Sequence, residues 1–325
     1  MSGSLLVVTI AGTLIVAYLL VLLVVAHLFT TPRRISPPLP PADSAHVVTR
    51  VAFRSRHDAL QLVAWYHRAP ESTCAVIFVH GRDGCRGDEL RNPTFRLAQQ
   101  FVAQGISVLM LDLRGHGDSD RARLTFGHHE CHDVLGAVDF LLARGYQPTR
   151  IGVLGASMGG ASAIAAAAEE PAIGALVSDS AFADLDALLR MQFTRLTRLP
   201  TCCLNGALFI ARLLTGVHLT HNAPRQNMRR LRGRPSLVIH AACDPFVPVE
   251  HAHTLARAGA SRLWVTAGER HLASYRTAGT EYESVVANFF VEHLQPISLV
   301  SVPCEVRRAA FAPISRAGAL RRIRS

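Results

Sequence analysis

At 325 residues and 35.3 kDa with 49% hydrophobic content, the chain can fill one large α/β core with extensions, and a second full domain is not expected. Its formal net charge of +10 comes entirely from arginine. These arginines form no basic stripe interleaved with aromatics, so nucleic-acid binding is not expected. Seven cysteines, with Cys202 adjacent to Cys203 and no C-x-x-C spacing, give neither a disulfide framework nor a zinc ribbon and fit a reducing compartment.

In chain order, the first feature is Leu5 to Phe29, an uncharged apolar run of about 25 residues. At about 1.5 Å per residue it spans a hydrocarbon layer of roughly 30 Å, so residues 1–30 are read as a single transmembrane anchor. A cleaved signal peptide is the rival, but MSGS lacks a basic leader and no A-x-A site follows. Arg33, Arg34, Arg50, Arg54 and Arg56 all follow the helix and none precedes it, which places the rest of the chain in the cytoplasm. The proline-rich segment 31–45 is expected to be an extended spacer holding the next domain off the bilayer.

Residues 46–295 read as that domain. Val47–Phe53 and Leu60–His67 suggest an opening hairpin, and Cys74–His80 is an apolar run ending in His80-Gly81-Arg82-Asp83-Gly84. A helix around Thr94–Ala103 and a strand Ile106–Asp112 follow. The turn Arg114-Gly115-His116-Gly117-Asp118-Ser119 lacks the spacing and the lysine of a phosphate loop and reads as a tight connection. His128 to Asp133 carries metal-ligand side chains but falls where a helix through Leu142 begins, so Glu130 and Asp133 are read as first-turn acids complementing the helix dipole.

Arg150 to Ala168, RIGVLGASMGGASAIAAAA, is strand, sharp turn and alanine-rich helix, with Gly155 and Gly159 flanking Ser157. Such a turn lifts a serine hydroxyl above the sheet edge with a helix N-terminus facing it, the arrangement of a nucleophile. Further strands are read at Ile173–Val177, Leu237–Ala241 and Arg262–Thr266, with a closing helix Tyr282–Leu294. Residues 182–232 between two of these strands form a helical, apolar insertion, a cap candidate. Alternating strands and helices call for a mostly parallel sheet covered on both faces. The tail 296–325 carries arginines among small residues and is expected to be disordered.

A serine hydroxyl needs a base, and the base needs a carboxylate to hold its tautomer. His271, past the last strand, and Asp244, past the strand before it, supply these in the order Ser, Asp, His; Asp179 is the alternative acid. The amide of Met158 at the helix start and that of Arg82 after the first central strand are the expected oxyanion donors, with His80 bracing the loop.

From about Val47 to Leu294 the chain resembles the α/β-hydrolases, in particular membrane-anchored serine hydrolases similar to acylglycerol lipases and protein depalmitoylases. The resemblance rests on HGRDG at 80–84, DLRGHGDS at 112–119, GASMG at 155–159, DPFVP at 244–248 and the His271 loop. It implies the α/β-hydrolase fold, Ser157, Asp244 and His271 as triad, Arg82 and Met158 as oxyanion amides, and no metal or organic cofactor. The implied substrate is a small-molecule or lipid carboxylic ester or thioester. An aminopeptidase-like amide hydrolase and a catalytically silent membrane interaction protein are the alternatives. Two departures stand out: Ala241-Ala242-Cys243 replaces a glycine-containing turn before the acid, and Glu269-Arg270 replaces small residues before the histidine.

Overall fold

Eight strands form one sheet in the order β1-β2-β4-β3-β5-β6-β7-β8, and β2 alone runs against its neighbours. They are β1 (Val48–Arg54), β2 (Gln61–His67), β3 (Cys74–Val79), β4 (Ile106–Asp112), β5 (Ile151–Ala156), β6 (Ile173–Asp179), β7 (Ser236–Ala241) and β8 (Arg262–Thr266). The computed structural model describes residues 3–41, 48–91 and 94–295. Residues 42–45 of the proline-rich segment, Val47 and the basic tail 296–325 lie outside them.

The central strands are apolar without alternation because both faces are covered, and every residue of β3, β4 and β5 is buried. On one face lie α3 (Glu130–Leu142), α4 (Met158–Glu169), α7 (Pro224–Arg230) and α8 (Val249–Gly259). On the other lie α2 (Phe95–Ala103), α9 (Ser274–Ala278) and α10 (Thr280–Leu294). Crossovers of this kind leave the carboxyl ends of the strands free to carry loops, which is where ligands bind in such sheets.

The insertion expected at 182–232 folds mainly as α5 (Leu185–Thr197), α6 (Cys203–Thr215) and α7. The first apolar run is α1 (Gly3–Thr30), the one helix among the described residues long and apolar enough to cross a membrane. Its exit end is not free. Leu22, Val25, Ala26, Phe29 and Thr30, spaced at helical i, i+3, i+4, i+7 and i+8, are buried against the domain, chiefly against α6. A Cβ on Gly206 would stand 2.6 Å from Leu22 Cδ1, so the absence of a side chain in α6 admits α1.

The first residues of the proline-rich segment lie against the domain surface. The Arg33 amide donates to Asp83 Oδ1 at 2.8 Å, and the Arg34 guanidinium donates to the carbonyls of Gly117 and Ser119 at 2.6 and 2.9 Å. The Leu124 amide donates to the Thr30 carbonyl at 2.7 Å. Backbone groups left over at the C-terminus of α1 thus find partners in the loops around the sheet.

Candidate active site

Ser157 sits between β5 and α4 with φ +52° and ψ −117°, a sparsely populated conformation costing about 1–3 kcal/mol. Close approach explains its flanking glycines. A Cβ on Gly155 would lie 2.5 Å from the Gly159 carbonyl oxygen, and one on Gly159 would lie 2.3 Å from that of His80. The Ser157 amide donates to the Asp179 carbonyl at 2.8 Å, holding the turn to the end of β6.

The three side chains expected from chain order come together. His271 Nε2 lies 2.8 Å from Ser157 Oγ, and His271 Nδ1 lies 2.7 Å from Asp244 Oδ2. Asp244 Oδ1 accepts the amides of Phe246 and Val247 at 2.8 and 3.0 Å. Burial pushes the Asp244 carboxyl up, but the bond from His271 and these two amides outweigh it, so the carboxyl is held below its usual range and stays ionised. The turn Ala241-Ala242-Cys243 therefore delivers the acid without a glycine.

Asp179, the alternative acid, is engaged elsewhere. Its carboxylate accepts the hydroxyls of Ser180 at 2.7 Å and Tyr282 at 2.9 Å, with no bond to a histidine. The acid loop gains support that the sequence did not signal. Gln192 of α5 donates to the carbonyls of Pro245 and Phe246, Arg195 donates to Pro245, and the Phe246 ring packs edge-on to His271 at 5.2 Å. His240 Nε2–H donates to the Val247 carbonyl at 2.7 Å, below the same loop.

Residues 80–84 lie against the elbow: a Cβ on Gly81 would be 3.1 Å from Ser157 Cβ. Two buried histidines fix this loop. The Leu113 amide donates to His80 Nε2 at 3.1 Å, so the proton is on Nδ1, which donates to the Gly81 carbonyl at 2.7 Å. His116 repeats the pattern, accepting the Asp83 amide on Nε2 at 3.2 Å and donating from Nδ1 to the Arg114 carbonyl at 2.9 Å. Burial drives both imidazoles down to about 4, so they stay neutral, as accepting on Nε2 requires. Arg82 lines the pocket beside Ser157, and Met158, the first residue of α4, has its side chain in the core.

The glycine-rich turn 114–119 is more than a connection. Arg114 pairs with buried Asp133 and with Asp58, and buried Arg86 joins Asp112 to Asp118. Glu130 accepts the Thr125 amide, the Thr125 hydroxyl and the Gly127 amide, each at 2.7 Å. The first-turn acids of α3 therefore close loops rather than answer only to the helix dipole. Burial of an acid is invisible in a spacing of polar residues.

In front of Ser157 and His271 opens a cavity of about 940 Å³. Phe246 and Leu272 contribute from the strand-end loops, Leu196 and Leu199 from the insertion. The remaining flank is α1 itself, through Val21, Val24 and Leu28 among others. Asp83 is the one carboxylate among the described lining residues, which also include Arg33, Arg82 and Arg91.

Comparison with known proteins agrees with this architecture. A sequence profile described as serine aminopeptidase, S33, matches residues 70–204. The protein YqkD of Bacillus subtilis, described as uncharacterized, is 27% identical over 230 residues, 69% of this chain and 73% of its own length. The Pyrococcus furiosus esterase Pf2001 superposes with a TM-score of 0.66 at 24% identity, covering 82% of this chain and 100% of the esterase. The Pyrococcus horikoshii acylaminoacyl peptidase gives 0.57 at 17%, covering 78% of this chain and 42% of the peptidase.

Proposed function

Since this chain is an α/β-hydrolase-type enzyme, we propose that it is a membrane-anchored serine hydrolase that cleaves a carboxylic ester or thioester through an acyl-enzyme on Ser157. The observation that carries this reading is the relay from Ser157 Oγ through His271 to Asp244, at 2.8 and 2.7 Å, at the edge of a large apolar pocket.

In the first half-reaction Ser157 Oγ attacks the acyl carbon while His271 Nε2 takes its proton. Asp244 holds Nδ1–H and stabilises the imidazolium. The amides of Arg82 and Met158 receive the oxyanion, preorganised by the His80 and His116 bonds and by the start of α4. His271 then returns the proton to the leaving alcohol or thiol. Water repeats the sequence on the acyl-enzyme with His271 again as base, releasing the acid.

Amide cleavage from a peptide N-terminus is the second reading, favoured by the description of the profile matching residues 70–204. A free ammonium needs a carboxylate partner. Asp83 already accepts the Arg33 amide and lies 3.5 Å from the Arg82 guanidinium, so the pocket repels a cation. Labelling with a fluorophosphonate tests the proposal. Ser157 is expected to be modified in the folded full chain and Ser157→Ala to abolish both labelling and turnover, whereas an unlabelled, correctly folded enzyme would refute it. Ester, thioester and aminoacyl-anilide substrates assayed side by side separate the two readings.

A further inference from the structure

We infer that α1, beyond anchoring the chain, is a wall of the acyl-binding site, so that the substrate's hydrocarbon chain lies along Val21, Val24 and Leu28 and enters sideways from the lipid. The inference rests on the hydrolase reading of Ser157. Three observations carry it.

The first is composition of the cavity. The opening onto Ser157 and His271 has apolar side chains of α1 on one side and Leu196, Leu199 and Phe246 on the other, with the charged lining confined to Arg33, Arg82, Asp83 and Arg91. A pocket of about 940 Å³ with this lining takes a flexible chain of methylenes. The second is continuity. Val21, Val24 and Leu28 face the cavity yet remain 40%, 56% and 60% exposed, and they belong to a helix, Gly3–Thr30, that as a whole has the length and apolar composition of a membrane span. Leu20, Val21, Val24, Val25 and Leu28 make the flank on that helix apolar, and its polar lining residues, His27 and Thr31, lie at the exit end.

The third is the surroundings. Among the described residues, the large apolar side chains exposed outside α1 include Met191, Leu196, Phe209 and Leu213, all on α5 and α6. α6 packs along α1 and Phe193 of α5 meets Phe29, so these exposed apolar side chains lie on helices packed against a helix suited to lipid. An acyl chain leaving the bilayer at this point stays in contact with hydrocarbon throughout its path to Ser157.

The full chain in lipid nanodiscs, assayed on p-nitrophenyl acetate, octanoate and palmitate, tests the inference. The wild type should prefer the longer esters, by up to about fourfold in kcat/KM for each methylene that gains contact. Val24→Trp should cut the octanoate-to-acetate ratio by about tenfold or more, with fluorophosphonate labelling of Ser157 reporting that the variant is folded. Leu23→Trp, on the same helix but outside the cavity lining, should leave the ratio unchanged. Gly206→Leu, which displaces α1 at Leu22 while leaving the identity of every lining residue unchanged, should also lower it.

If Val24→Trp does not fold, the pair Val21→Ala and Val24→Ala serves instead and should lower the ratio several-fold. A ratio near one in the wild type, or an unchanged ratio in the folded Val24 variant, overturns the inference while Ser157 remains labelled. Failure of the wild type to label refutes the hydrolase reading itself, a distinct outcome.

Discussion

The two sides of the pocket are built differently. The side bearing Ser157, Asp244 and His271 is made of strand-end loops whose polar atoms are spoken for at 2.7–3.2 Å, by neutral His80 and His116, by the amides of residues 246 and 247, and by Gln192. The side formed by α1 is held mainly by the packing of Leu22, Val25, Ala26 and Phe29, with few directed bonds. Directed bonds set atoms to fractions of an ångström, as proton transfer requires, whereas apolar packing sets a shape. In the proposed mechanism reaction and selection belong to separate physical interactions, and each is open to separate disruption.

The polar side should break most sharply at the acid. Asp244→Asn is expected to lower kcat for a short ester by about 10³- to 10⁴-fold, because the amide no longer favours the tautomer that accepts the serine proton. Asp179→Asn, which keeps one of the two oxygens that accept from Ser180 and Tyr282, should cost less than about tenfold; comparable losses in steady-state assays would leave the acid unassigned.

The apolar side should break on removal of residues 1–45. Leu22, Val25 and Phe29 contribute about 1.5–3 kcal/mol each through burial, so thermal denaturation should move down by roughly 10–20 °C. Activity on long esters should fall further than activity on acetate. An unchanged melting temperature would show that α1 is a bystander to the fold.

Acid should loosen the polar side alone. The imidazoles of His80 and His116 titrate near 4 in the folded chain and near 6.5 when unfolded. The unfolded state therefore binds more protons between those values, and the stability present above about pH 6.5 is lost as pH falls towards 4, by on the order of 3 kcal/mol for each imidazole. Denaturant midpoints measured across that interval check the sign. His80→Gln, which cannot charge, should flatten the curve.

The smallest effect is expected where the two sides meet. The Arg82 guanidinium donates to the Leu28 carbonyl at the end of α1, while its amide faces the chemistry in the proposed mechanism. Arg82→Gln keeps the amide, so acetate hydrolysis should stay within about threefold, with a stability loss of about 1 kcal/mol by calorimetry.

Much of the polar side was legible because its signals are local. The GASMG turn between an apolar strand and an alanine helix, and an Asp and a His each past a strand end, depend on residues near one another in sequence. The contacts of Arg33 and Arg34 with Asp83, Gly117 and Ser119 were not legible, because composition reports stiffness but not what a segment touches. The docking stripe of α1 was unreadable for a different reason. Residues 5–29 are apolar all round, so no periodicity distinguishes Leu22, Val25, Ala26 and Phe29 from side chains facing away. Its one trace lies far off, in Gly206, a residue unfavourable in a helix by about 1 kcal/mol relative to alanine.

The distance between those partners has a consequence for how the enzyme is made. Leu22 leaves the ribosome about 180 residues before Gly206, roughly ten to forty seconds earlier at ordinary synthesis rates. During that interval α1 has no groove to enter. In lipid it is stored beside the place where α6 will later emerge, and tethering replaces a long random search with a high local concentration. The pocket is complete only once Phe246, His271 and Leu272, later still in the chain, have joined α1 around it. A chain synthesised without membrane meets the same step with about 25 apolar residues exposed to water throughout, so its yield should be limited by aggregation before docking rather than by the stability of the finished fold.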